Sequence, residues 1–92
     1  MLNQVVLVGR LENIEQRNDG AKLTIKIPRY FKNENGEYEN DIIDVKLSDS
    51  IAENTLKYCT VGDLIGVKGR IVNQGVMEIQ AEKITFLSTK ND

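Results

Sequence analysis

Strand-type patterning runs through nearly all of this sequence, and a helical pattern interrupts it once. Lys22 to Ile27 alternates strictly, with Leu23, Ile25 and Ile27 on one parity and Lys22, Thr24 and Lys26 on the other. That is the pattern of a strand with one buried face. Ile42 to Ser48 alternates too, sending Ile43, Val45 and Leu47 to a core and Ile42, Asp44, Lys46 and Ser48 outward. In Leu64 to Ile71, Ile65, Val67 and Ile71 share a face opposite Lys68 and Arg70. Asn3 to Arg10 contains VVLV, apolar on both parities and rich in β-branched residues, so burial on both sides is expected. A last strand runs from Val76 to about Leu87; its apolar parity changes from Met77 and Ile79 to Ile84 and Phe86, which predicts a bulge near Glu82.

The connections carry their own signals. Asn18, Asp19 and Gly20 mark a turn, and Pro28 is expected to end regular pairing because it has no N–H to donate. A polar loop from Lys32 to about Asn40 follows, with Asn35-Gly36 as its tight turn. Asn73 to Gly75 leaves room for only a tight hairpin. The helix begins at a capping-box signature, Ser50 with Glu53. Ala52, Leu56 and Cys59, flanked by Ile51, form its apolar stripe, and Gly62 stops it. That stripe is read as core, not as a ligand site.

The order is three strands, one helix, two strands. An all-β chain of this order predicts the five-stranded Greek-key barrel called the OB-fold, with the short helix between strands 3 and 4 plugging one end. The 92 residues make one domain, 1–92. A chain this small buries its surface inefficiently, which favours oligomers. Gly66 and Gly69 lie inside a strand, where curvature explains them better than phosphate contact.

Composition narrows the chemistry. The chain has no histidine, the commonest general base and metal ligand, and one cysteine, Cys59. It has neither a phosphate-binding glycine loop nor a dinucleotide fingerprint. Glu37 and Glu39 stand in a solvated loop, a poor setting for a catalytic pKa. No enzyme activity, metal or cofactor is expected. There is no apolar run long enough for a membrane span, nor a leader-like opening, and the expected location is cytoplasmic.

Twelve basic against fourteen acidic residues give a net charge of −2, which does not advertise nucleic-acid binding. The distribution is polarised, however. Residues 20–32 carry Lys22, Lys26, Arg29 and Lys32 with no acid, whereas residues 33–53 carry seven acids against Lys46. A local positive field is therefore expected. Within it, Arg29 and Lys32 flank Tyr30 and Phe31, pairing cations for phosphates with rings for bases, as single-strand binders require. Two adjacent aromatics in an extended segment cannot both point inward, so at least one is expected in solvent. Lys26, Lys46, Lys68 and Arg70 share outward parity, and Arg10 ends the first strand at the rim. Ordinary solvated charge explains each of these alone; their common parity groups them.

Several stretches resemble bacterial and phage single-stranded DNA-binding proteins: MLNQVVLVGRL, AKLTIKIPRYFKNENGE, AEN in the helix, TVGDLIGVKGRI and EIQAEKITFL. Together they cover nearly the whole chain in order. The resemblance implies an OB-fold, sequence-tolerant binding of single-stranded DNA in replication, recombination or mobile-element maintenance, and a homo-oligomer, dimer or tetramer, joined through the first strand. Replication proteins are possible partners. It places a stacking aromatic at Phe31 and two more stacking positions at Ile42 and Ser48, which have no aromatic ring. The family's long hairpin between strands 4 and 5 is cut to Asn73–Gly75, and its acidic tail is replaced by STKND. These departures favour a second reading, an interaction or oligomerisation module similar to primosomal replication protein N.

Overall fold

The computed structural model describes residues 1–88. Its elements are β1 (Val5–Arg17), β2 (Gly20–Lys32), β3 (Tyr38–Ser48), α1 (Asp49–Tyr58), β4 (Leu64–Asn73) and β5 (Met77–Ser88). The strands close into a barrel in the order β1-β2-β3-β5-β4. All pairings are antiparallel except β3 with β5, where Val45 meets Ile79 and Lys46 meets Gln80 in parallel. The expected five-stranded OB-fold barrel with its helix between β3 and β4 is the observed architecture. Residues 89–92, and with them most of the STKND end, lie outside the described residues.

Closure brings the apolar parities together. Leu11, Leu23, Ile25, Val45, Ile65 and Val67 are the largest apolar side chains with almost no exposure. The helix packs on β2, β3 and β5 and buries Ala52 and Thr55. Its predicted stripe is corrected in two ways. Thr55 is buried while Leu56 is only half-buried, and buried Cys59 is the residue after the last turn. The capping box does not form either: Ser48 is the N-cap, without a side-chain cap hydrogen bond, so Ser50 lies inside the helix.

The strands run longer than their alternation suggests. β1 continues to Arg17 by changing partner, pairing with β4 over Val5–Arg10 and with β2 over Arg10–Arg17. A bulge between Leu11 and Asn13 makes the bend. At its start, Asn3 extends the ladder with its side chain: Nδ2 donates to Ile71 O at 2.7 Å, and Oδ1 accepts from Ile71 N at 2.9 Å. The VVLV segment is not buried on both sides. Val5 and Leu7 are half-buried, but Val6 and Val8 are 68% and 49% exposed, because a single-walled barrel covers only its inner face.

Pro28 does not end β2. It still pairs with Asn40; register then slips, and Lys32 pairs with Tyr38. Arg29, Tyr30 and Phe31 thus oppose Glu39 alone, so the irregularity lies in β2 while β3 stays regular. The expected loop shrinks to residues 33–37. Asn33 organises it: its Oδ1 accepts from Asn35 N at 2.9 Å and Glu37 N at 3.0 Å, and Gly36 takes φ 78°. The result is a two-stranded arm reaching past the barrel.

The bulge expected near Glu82 is present: Lys68 pairs with Lys83 and Gly69 with Ala81. A β-carbon on Gly69 would overlap Gln80 O at this bulge, so the glycine answers to backbone approach. Phe86 leaves the core, despite its parity with Ile84, and meets Tyr58 edge-on at 6.1 Å.

Candidate nucleic-acid interface

The register distributes the ten candidate residues over separate surfaces. Opposed residues of paired strands share a face. Lys22 opposes Lys46, Lys46 opposes Gln80 and Gln80 opposes Arg70. Three cations therefore lie in one row across the outside of β2, β3 and β4. Lys26 lies two same-face positions further along β2, opposite Ile42 and beyond the Thr24–Asp44 pair. Lys68 is on the β1–β4 wall opposite Val6, whereas Arg10 stands where β1 changes partner, opposite Leu64 of β4 and opposite Lys26 of β2, so that Arg10, Lys26 and Ile42 form a second row. Tyr30, Phe31 and Lys32 stand on the arm.

The charge polarity of the sequence becomes charge pairing in the fold. β2 carries the cations and β3 the acids, and the two are neighbours. Lys22 Nζ lies 3.7 Å from Glu15 and 3.9 Å from Asp44. Lys26 lies 3.6 Å from Glu12, Lys46 3.0 Å from Glu78 and Arg70 4.0 Å from Glu82. Arg29 donates from Nη2 to Asp41 Oδ1 and from Nη1 to Glu39 Oε2, both at 2.9 Å. Those partners, Asp41 first and then Glu39, raise its pKa. The expected positive field over residues 20–32 is therefore largely cancelled, because sequence separation hid the adjacency. Asp41 and Glu39 also have the parity of Ile43, which sets Arg29 on the opposite face of the arm from Lys26. Among the described residues, Lys32 and Lys68 have no carboxylate within 4 Å, and Arg10 has only a 3.4 Å hydrogen bond to Gly62 O.

Both aromatics of KIPRYFK are in solvent, Tyr30 at 93% and Phe31 at 83% exposure. Tyr38, which alternation alone did not single out, joins them across the arm at 58%. The missed signal is its even spacing from Ile42 along a strand that begins earlier than expected. Lys32 Nζ sits 5.7 Å from the Tyr38 ring centroid, within cation–π range.

Beside the arm, an open groove of about 510 Å³ runs between β3 and the β4–β5 turn, lined by Lys22, Ile42, Lys46, Ile71, Met77 and Glu78 among others. It has apolar walls and charged edges. Ile42 is 55% exposed there, and Ser48 is half-buried at the far end of β3; neither offers a ring. Among the described residues no cluster of His, Cys, Asp or Glu is placed to hold a metal ion, and no helix is long and apolar enough to cross a membrane.

This chain is similar to several known single-stranded DNA-binding proteins. Single-stranded DNA-binding protein B of Bacillus subtilis (strain 168) is 39% identical, over 98% of this chain and 94% of its own length. Single-stranded DNA-binding protein 1 of Staphylococcus aureus (strain MSSA476) is 36% identical, over 99% of this chain and 69% of its own. Among solved structures, a small single-stranded DNA binding protein from Mycoplasma pneumoniae superposes with TM-score 0.68 at 25% identity, covering 91% of this chain and 92% of that one. A mitochondrial single-stranded DNA binding protein from S. cerevisiae reaches 0.76 at 16% identity, over 97% of both chains, and speaks for the fold. Residues 2–88 match the single-strand binding protein family, and the chain belongs to that family.

Proposed function

We propose that this chain binds single-stranded DNA without sequence preference, in replication, recombination or mobile-element maintenance, and performs no catalysis. The observation that carries the reading is the pair of solvent-exposed rings, Tyr30 and Phe31, on an arm built from the two strands, β2 and β3, that also carry Lys22, Ile42 and Lys46 of the groove. Exposed rings accept any base, since every base has a π-face. The OB-fold uses its β2–β3 face and the adjoining loops for oligonucleotides. On this reading Lys22, Lys26, Lys32, Lys46 and Arg70 meet phosphates along that face, and Arg29, Arg10 and Lys68 border it. Ion pairing lowers what most of these can contribute, so affinity rests on the arm. A homo-oligomer through β1, replication proteins as partners and a cytoplasmic setting accompany the reading.

A fluorescence-anisotropy titration of labelled oligo-dT at two salt concentrations tests it. Binding at low salt that weakens as salt rises is expected. The absence of binding at low salt would overturn the reading. The protein-docking alternative is favoured by the paired cations, and recovery of a replication protein without any oligo-dT binding would select it.

A further inference from the structure

We propose that Tyr38 is a base-stacking residue of this chain, acting with Lys32 as a nucleotide platform on the β2–β3 arm. The inference rests on the single-strand reading above and specifies where a base is held.

Four observations converge on this residue. The first is parity. β3 is regular from Tyr38 to Ser48, since the slip in pairing falls between Pro28 and Lys32 of β2. Tyr38 therefore shares its face with Ile42, Asp44 and Lys46, which line the groove. It lies four positions from Ile42, about 13 Å along the strand. The second is exposure: the residue is 58% accessible, open to a flat partner.

The third is the cation. Lys32 opposes Tyr38 in register, with its Nζ 5.7 Å from the ring centroid. Phosphates at Lys22, Lys26, Lys46 or Arg70 must compete with a carboxylate already there. At Lys32, among the described residues, they need not. A base on the ring and its phosphate at the ammonium are served by one cross-strand pair.

The fourth is the stiffness of the support. Arg29 ties Asp41 and Glu39 together on the opposite face, and Asn33 Nδ2 reaches Glu39 Oε1 at 3.4 Å. Asn33 also closes the turn through its side chain. The ring is thus presented by an arm already ordered, which reduces the entropy lost on binding. Along the same face of β3, Ile42 and Ser48 offer no ring. Tyr38 is the aromatic that the face does have.

The test uses the full chain and oligo-dT. Anisotropy titrations compare wild type, Tyr38→Ala and Tyr38→Phe, with thermal melts to verify the fold. The chain has three tyrosines and no tryptophan, so tyrosine emission reports stacking directly. Tyr38→Ala is expected to weaken binding roughly 5- to 150-fold, while Tyr38→Phe keeps wild-type affinity and loses part of the emission quenching. Wild type that binds, with Tyr38→Ala binding equally well, overturns the platform alone. Unchanged quenching in Tyr38→Phe overturns it too, without relying on the alanine variant to fold. Wild type that fails to bind removes the single-strand reading itself, and the platform with it.

Discussion

Cys59 shows how one position answers to its surroundings. It follows the last turn of α1 with its side chain in the core. Burial first, and the nearby Asp63 second, push its thiol pKa from 9.0 up to about 11. Asp63 is itself held by the backbone: Thr60 N donates to its Oδ2 at 2.9 Å, while its own carbonyl accepts from Leu11 N at 2.9 Å. The thiol is disfavoured as an anion only in the folded state. Its contribution to stability is therefore complete below pH 9 and is lost as pH rises towards about 11. At pH 8 the thiolate population of the folded chain is expected to be about a hundredfold below that of the unfolded chain. Reaction with DTNB in buffer and in denaturant measures this; equal rates would place Cys59 outside the core.

At the scale of elements, the β2–β3 arm departs furthest from its sequence pattern. Alternation stops at Pro28, and a proline plus a polar, charged stretch reads as a loop. The structure instead keeps Pro28 opposite Asn40, absorbs residues 29–31 in a bulge and resumes at Lys32. A proline is tolerated where its missing N–H falls beside an irregularity. The arm's faces then separate what the sequence groups: Arg29 goes with Glu39 and Asp41, Lys32 with Tyr38. Exposed ion pairs of this kind contribute little to stability. Asp41→Asn is thus expected to leave the urea midpoint nearly unchanged and, by freeing Arg29 for phosphate, to raise oligo-dT affinity up to about fivefold. Urea melts and the same anisotropy titration measure both. A fall in affinity would show that Asp41 serves DNA binding by fixing the arm.

Over the whole molecule, the outer face of β1 is one of several places where apolar side chains stand in solvent. Val6 and Val8 stand exposed on the wall that also carries Lys68 and Arg10. Apolar pairs of this kind are ordinary on a surface when isolated. Here they lie on the strand that an oligomer of this family is proposed to share. If β1 joins subunits, light scattering returns the mass of a dimer or tetramer, and Val8→Asp shifts it towards the monomer because an unpaired carboxylate is costly to bury. A monomeric wild-type mass removes β1 from any interface.

Fold and site were not equally legible. Strand parity, the position of the helix and the bulge near Glu82 were written in the order of apolar residues, because burial of side chains acts locally at a period of two. The exposure of Tyr30 or Phe31 was legible on the same ground, since adjacent residues point apart. The charge field was not: whether Lys22, Lys26 and Arg29 are free cations depends on acids 10 to 22 positions away along β3, or on β1, and pairing between strands decides it. Tyr38 became visible only when β3 proved long enough to set it on the face of Ile42. By itself the sequence determined which residues face the core and so which barrel forms. The tertiary structure decided which cations already have partners and which rings stand clear, because electrostatics and access depend on distances between strands.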